Sequence, residues 1–115
     1  MLTSYNPAQE IWRYVPDFEE YAVSSHGRVA HTRFNRILKD RRGPDGRRKV
    51  RLYVKGEWTD KYVHQLMARA FVIGHEWGDQ VGHLNGIYND NRLENLDLKV
   101  YNFGFVLFPE WFYWE

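Results

Sequence analysis

The chain has 115 residues, a mass of 13.9 kDa and a net charge of +1, enough for one compact domain or two small modules sharing a core. Its 5 Trp, 8 Tyr and 7 Phe exclude a generally disordered chain, and the absence of cysteine excludes disulfides and thiolate metal sites. No stretch approaches the roughly 20 apolar residues that span a bilayer, and the opening MLTSYNPAQE lacks a charged-then-apolar leader, so export is not expected.

Residues 1–9 read as a polar lead-in. Beyond them, Tyr21-Ala22-Val23 and Arg28-Val29-Ala30 flank the turn formers Ser24-Ser25-His26-Gly27, which predicts a hairpin. Charge then becomes segregated. Between Arg28 and Lys61 stand 12 Lys/Arg against 4 Asp/Glu, while the rest of the chain holds 4 against 11. A basic stretch of this kind suits a polyanionic partner, and equally a well-solvated loop. Within it, DRRGPDGRRK (40–49) is a turn-rich loop. Lys49 to Lys55 alternates strictly, with Val50, Leu52 and Val54 on one face and Lys49, Arg51, Tyr53 and Lys55 on the other. This is a strand with an apolar back and a cationic front fit for phosphate contact, Tyr53 being able to stack on a base. Trp58 and Tyr62 are expected in the core or at its rim.

The clearest helix is 61–72, where Val63, Leu66, Met67, Ala70 and Phe71 form one apolar stripe. Thr59 or Asp60 is the expected cap and Gly74 the expected stop. His64, Gln65 and Arg69 lie on its polar face, and His75-Glu76 reads as a polar turn. Val81-Gly82-His83-Leu84 is a short strand, followed by the turn-rich Asn85–Asn91 and then Arg92–Leu98. Residues 101–115 carry eight aromatics and only two charges, so this tail needs the body of the protein or a partner to cover it.

The segment VGHLNGIYNDNRLENL (81–96) holds one histidine among many Asn and Asp side chains. An imidazole held by a hairpin is a competent general base near neutral pH. Amide and carboxylate oxygens are hard ligands for an ion of the magnesium type, so together these groups have the means to hydrolyse a phosphodiester. Spacing alone is equally satisfied by an ordinary Asn-rich loop. A zinc site from His64, His75, His83 and Asp79 matches no common ligand spacing.

VHQLMARAF, GHLNG and DNRLENL together resemble the HNH endonucleases of homing and phage type. EIWRYVPDFEEYAVSSHGRV is similar to the short DNA-binding module that often precedes them, through Trp12, Pro16, Phe18, Tyr21, Val23, Ser24, Gly27, Arg28 and Val29. The resemblance covers about residues 10–98 and implies a ββα-metal (His-Me finger) site. In it His83 corresponds to the general base, and Asn95 to the middle Asn that supports the His-bearing loop. Asn91, Arg92, Glu94 and Leu96 match the signature between, and His64 matches the histidine of the preceding helix. The family's Asn or Asp before the base is Gly82 here, the Asp two residues after it is Asn85, and the Asn after the turn glycine is Ile87. The last family ligand, on a helix after the second strand, has Asn102 as its nearest counterpart, and Asp79 or Asp90 offers a substitute carboxylate.

The expected fold is α+β: a small antiparallel β module (10–62), an HNH-like ββα region (63–98) and a divergent aromatic tail (99–115). The expected function is a DNA endonuclease using a divalent ion, Mg2+ or Mn2+, and no small-molecule cofactor, with His83 and Asn95 in the catalytic signature. His83, Asp90 and Asn102 are the candidate ligands. Arg28, Arg41, Arg42, Arg47, Arg48, Lys49, Arg51 and Lys55 are the candidate contacts to double-stranded DNA. No membrane is expected as partner; a protein partner or self-association through 101–115 is. By resemblance the setting is the cytoplasm of a host cell. The alternative is a non-cleaving relative that binds DNA or a protein on the same scaffold.

Overall fold

Among the described residues, apolar alternation and tight turns build three antiparallel sheets around one helix. The computed structural model describes residues 8–72, 75–78 and 80–97. The first sheet runs in order through β1 (Trp12–Val15), β2 (Phe18–Ser24), β3 (Val29–His31) and β4 (Arg36–Ile37). The predicted 21–30 hairpin is its β2–β3 pair, with Ala22 opposite Ala30. Its turn is closed by the Ser24 hydroxyl, which accepts the backbone N–H groups of His26 (3.1 Å) and Arg28 (3.2 Å).

The second sheet comprises β5 (Arg41–Arg42), β6 (Arg48–Val54) and β7 (Glu57–Tyr62). In β6 the predicted alternation holds, with Val50 and Leu52 fully buried and Arg51 and Tyr53 exposed. Lys55 (φ 53°) and Gly56 (φ 82°) turn the chain with two positive φ values, the geometry that matches strand twist in a two-residue hairpin.

The helix α1 (Val63–Phe71) starts later than its pattern predicts. Thr59 and Asp60 pair with Leu52 and Arg51 in the β6–β7 ladder, so Tyr62 takes the cap position and no side chain caps the helix. The proposed stop at Gly74 lies outside the described residues. Val63, Leu66, Met67, Ala70 and Phe71 are buried as predicted, and so are Ala68 and His64, because α1 is covered by strands of both sheets. One core unites Val15 and Val23 of the first sheet, Val50 and Leu52 of the second, Leu66 and Met67 of α1, and Leu93 and Leu96 beyond it. Each such side chain contributes roughly 1.5–3 kcal/mol by leaving water. Trp58 corrects the expectation of a place in the core or at its rim: it is exposed, its ring tilted against Tyr53 with centroids 4.8 Å apart.

The last sheet is a short hairpin, β8 (Gly82–His83) and β9 (Leu96–Asp97), with a 3-10 turn at Leu93–Asn95 before β9. It is joined to the first sheet by the backbone N–H of Leu93, which donates to the Ser25 carbonyl (2.8 Å). Gly27 (φ 88°) makes this seam tight, since a Cβ there would stand 3.0 Å from the Asn91 carbonyl carbon and oxygen. No described helix is long and apolar enough to cross a membrane.

Candidate active site

His83 lies on β8, paired with Leu96. Asn91, itself buried, accepts the His83 Nε2–H at its Oδ1 (2.8 Å). Because an amide oxygen only accepts, Nε2 is the donor in that bond. Nδ1 is covered and has no hydrogen-bond partner. Two aromatic rings stand beside the imidazole. His64 stands edge-on at 5.4 Å and Tyr88 lies at 5.8 Å.

The loop from Leu84 to Asp90 is tied down by Asn95. Its Nδ2 donates to the Asn85 side-chain oxygen (3.0 Å) and to the Asp90 carbonyl (2.8 Å), and its Oδ1 accepts the Asn85 backbone N–H (3.1 Å). Asn95 thus touches the loop, whereas Asn91 touches the imidazole. The sequence placed Asn91 only within the signature; its contact with His83 depends on the hairpin closing over eight residues, which spacing does not encode.

A groove of about 740 Å³ opens beside His83, walled by Tyr62 and His64 at the start of α1, by Gly82 and Tyr88 of the hairpin, and by Asp45 and Arg47 of the basic loop. His64 is neutral at physiological pH, because burial pushes its pKa down to about 4 and the neighbouring His83 and Arg47 add to the shift. Of the eight predicted phosphate contacts, Arg47 lines this groove and the others do not. Arg28 is held by Glu10 (2.6 Å) and packs over Trp12, Arg48 faces Asp40 (3.6 Å), and Arg41 and Arg51 share Asp60 (3.1 and 3.3 Å). Lys49 lies over the Tyr62 ring, and Arg42 and Lys55 are exposed.

The candidate ligands do not converge. Asp90 accepts from Arg92 Nε (2.8 Å), Arg92 Nη2 (2.7 Å) and Asn85 Nδ2 (2.8 Å), and the Arg92 guanidinium holds its carboxyl down to about 2. Asn102, Asp79 and the aromatic tail lie outside the described residues. Gly82 offers no side chain, although the Asp97 carboxylate across the hairpin comes within 3.9 Å of where a Cβ would sit. Among the described residues no group of three or more His, Asp or Glu is placed to hold a metal.

His75 is a second buried imidazole and corrects the expectation of a polar turn. Its Nε2–H donates to Gln65 Oε1 (3.1 Å), and its carbonyl accepts from Arg69. It supports the base of α1 and does not line the groove.

The NUMOD4 motif model matches residues 10–53. An HNH endonuclease of Acanthamoeba polyphaga mimivirus, described as uncharacterized, is 36% identical over 106 residues, covering 84% of this chain and 26% of that protein. The H-N-H endonuclease F-TflII of Escherichia phage T5 is 32% identical over 62 residues, covering 54% and 32% respectively. The DNA endonuclease I-HmuI of Bacillus phage SP01 is 31% identical over 86 residues, covering 74% and 49%. A solved structure of DNA binding and cleavage by I-HmuI superposes with a TM-score of 0.66 over the same shares of the two chains, so the fold is HNH-like α+β. The chain spans between a quarter and a half of the length of these relatives.

Proposed function

The chain belongs with the NUMOD4-bearing HNH endonucleases, and from that premise we propose that it hydrolyses phosphodiester bonds of DNA with His83 as general base. The observation that carries this reading is the Asn91–His83 bond of 2.8 Å, which orients the imidazole on the wall of a groove. A base must be both oriented and close to neutral pKa to take a proton from water as it attacks phosphorus, and an imidazole so held meets the first demand. Asn95 acts as a positioning residue by fixing the loop that follows His83.

Duplex contact is supported by the outer face of β6 and β7, where Arg51, Tyr53 and Trp58 are exposed together beside Arg41 and Lys55. Phosphate contacts of this kind set register on the duplex, and Tyr53 and Trp58 add aromatic surface.

Kinship implies a divalent ion. The described residues do not form a cage for one: Asp90 is engaged by Arg92 and Asn85, and Gly82 contributes no donor. The chemistry these side chains carry is proton transfer, orientation of the imidazole and binding of charge. The same two residues favour a second reading, a relative that binds DNA without cutting it.

Supercoiled plasmid incubated with Mg2+ or Mn2+ separates the two. Nicking that disappears in His83→Ala, with duplex binding intact, is the expected result. Equal nicking by parent and variant refutes the assignment of the base, and salt-sensitive binding without nicking by the parent supports the second reading.

A further inference from the structure

The basic loop and the histidine hairpin are remote in sequence, yet they form two walls of one groove. We infer that Arg47 is the residue that binds the reacting phosphate beside His83, delivered into the site from the first half of the chain. This deepens the nuclease reading and rests on it.

Arg47 is the one permanent cation among the described residues lining that groove. Its guanidinium lies 4.3 Å above the centre of the Tyr88 ring, and Tyr88 in turn contacts the His83 ring. Its nearness to the imidazole pair is visible in the electrostatics, since Arg47 is among the charges that depress the His64 pKa.

The arginine is held in place before any ligand arrives. Asp45 accepts the Arg47 backbone N–H (3.0 Å) and the Tyr62 hydroxyl (3.1 Å), so the loop is pinned to the start of α1. The loop itself is closed by the Gly43 N–H donating to the Arg47 carbonyl (2.8 Å) and by the Gly46 N–H donating to the Gly43 carbonyl (3.0 Å). Gly46 has φ 85°, a backbone geometry that a larger residue would strain, and lies beside the Tyr88 ring. By contrast the guanidinium meets Asp45 only at 3.5 Å through Nη1. A loop fixed by its backbone, with the cation stacked on a ring and only loosely paired, leaves the planar fork of N–H donors for a phosphate. Arg41 and Arg51 are paired with Asp60 at 3.1 and 3.3 Å, away from the groove.

Charge growing on the phosphate oxygens during attack would be met by a preoriented donor, and removal of one such donor lowers turnover by about 100-fold or more. The experiment compares the full chain with Arg47→Gln, Arg47→Lys and the exposed control Arg36→Gln. Two quantities are read: nicking of supercoiled plasmid under Mn2+, and shifts of the His83 and Tyr88 ring NMR signals on titration with the dinucleotide d(TpT). Circular dichroism melts verify that each variant is folded. The expected result is a d(TpT) shift present in the parent and the control, lost in Arg47→Gln and partly kept in Arg47→Lys. Nicking should fall about 100-fold in Arg47→Gln, with duplex affinity changed far less. A shift that survives in Arg47→Gln, or that is absent from the parent, overturns the inference whatever the nicking result. A parent that does not nick but shows an Arg47-dependent shift removes the nuclease reading and leaves the phosphate site standing.

Discussion

Replacing His64 by phenylalanine is expected to flatten the acid side of the stability curve. His64 is buried, with its ring between Tyr62 and His83 and its Nδ1 unpartnered. Burial first, then the electrostatic influence of His83, Arg47 and His75, outweighs the attraction of Asp45 and holds its pKa at about 4. In the unfolded chain the same group titrates near 6.5, so between these values the unfolded state takes up the proton that the folded state refuses. Stability from this source is complete above pH 6.5 and is lost as pH falls toward 4. The linkage relation gives a loss of about 2 kcal/mol by pH 5 and about 3 kcal/mol by pH 4. Urea unfolding of the parent and of His64→Phe at pH 7.5 and pH 5 checks this. The parent should lose about 2 kcal/mol more than the variant over that interval. Equal losses would refute the reasoning and place the acid sensitivity elsewhere.

Gly27→Ala is expected to cost about 2 kcal/mol in denaturant unfolding, since its Cβ meets the Asn91 backbone at 3.0 Å and its φ of 88° is unfavourable for alanine; a variant as stable as the parent would show that the seam yields freely. Because Asn91 orients His83, the same change should also depress nicking at temperatures where the protein remains folded. Asn95→Ala removes three hydrogen bonds to the Asn85–Asp90 loop and should cost about 2–3 kcal/mol while sparing duplex affinity, measured by urea titration and gel shift.

Much of the framework is legible because local rules agree there. The alternation of Val50 and Leu52 with Arg51 and Tyr53 names a strand and its inner face, and the stripe from Val63 to Phe71 names a helix. The extent of β7 is not legible, because Glu57–Tyr62 reads as a polar run; only pairing with β6 makes it a strand. The burial of His75 and the exposure of Trp58 are likewise decided by neighbours distant in sequence. At the site, His83 is visible from its motif. Which arginine of a basic stretch faces it is not, because that depends on how one glycine-rich turn closes over Tyr88. Asn91 was within view but its partner was not, for the same reason.

The Ser25–Gly27 turn has a practical consequence for anyone building chimaeras. The NUMOD4 match ends at residue 53, which invites cutting there and grafting the front segment onto another enzyme. Yet that turn carries the carbonyl that receives Leu93 and the glycine that makes room for Asn91, so the cut would orphan the support behind the imidazole. A transplant that moves residues 10–53 alone should arrive with half a joint, and a working exchange must carry both sides of it.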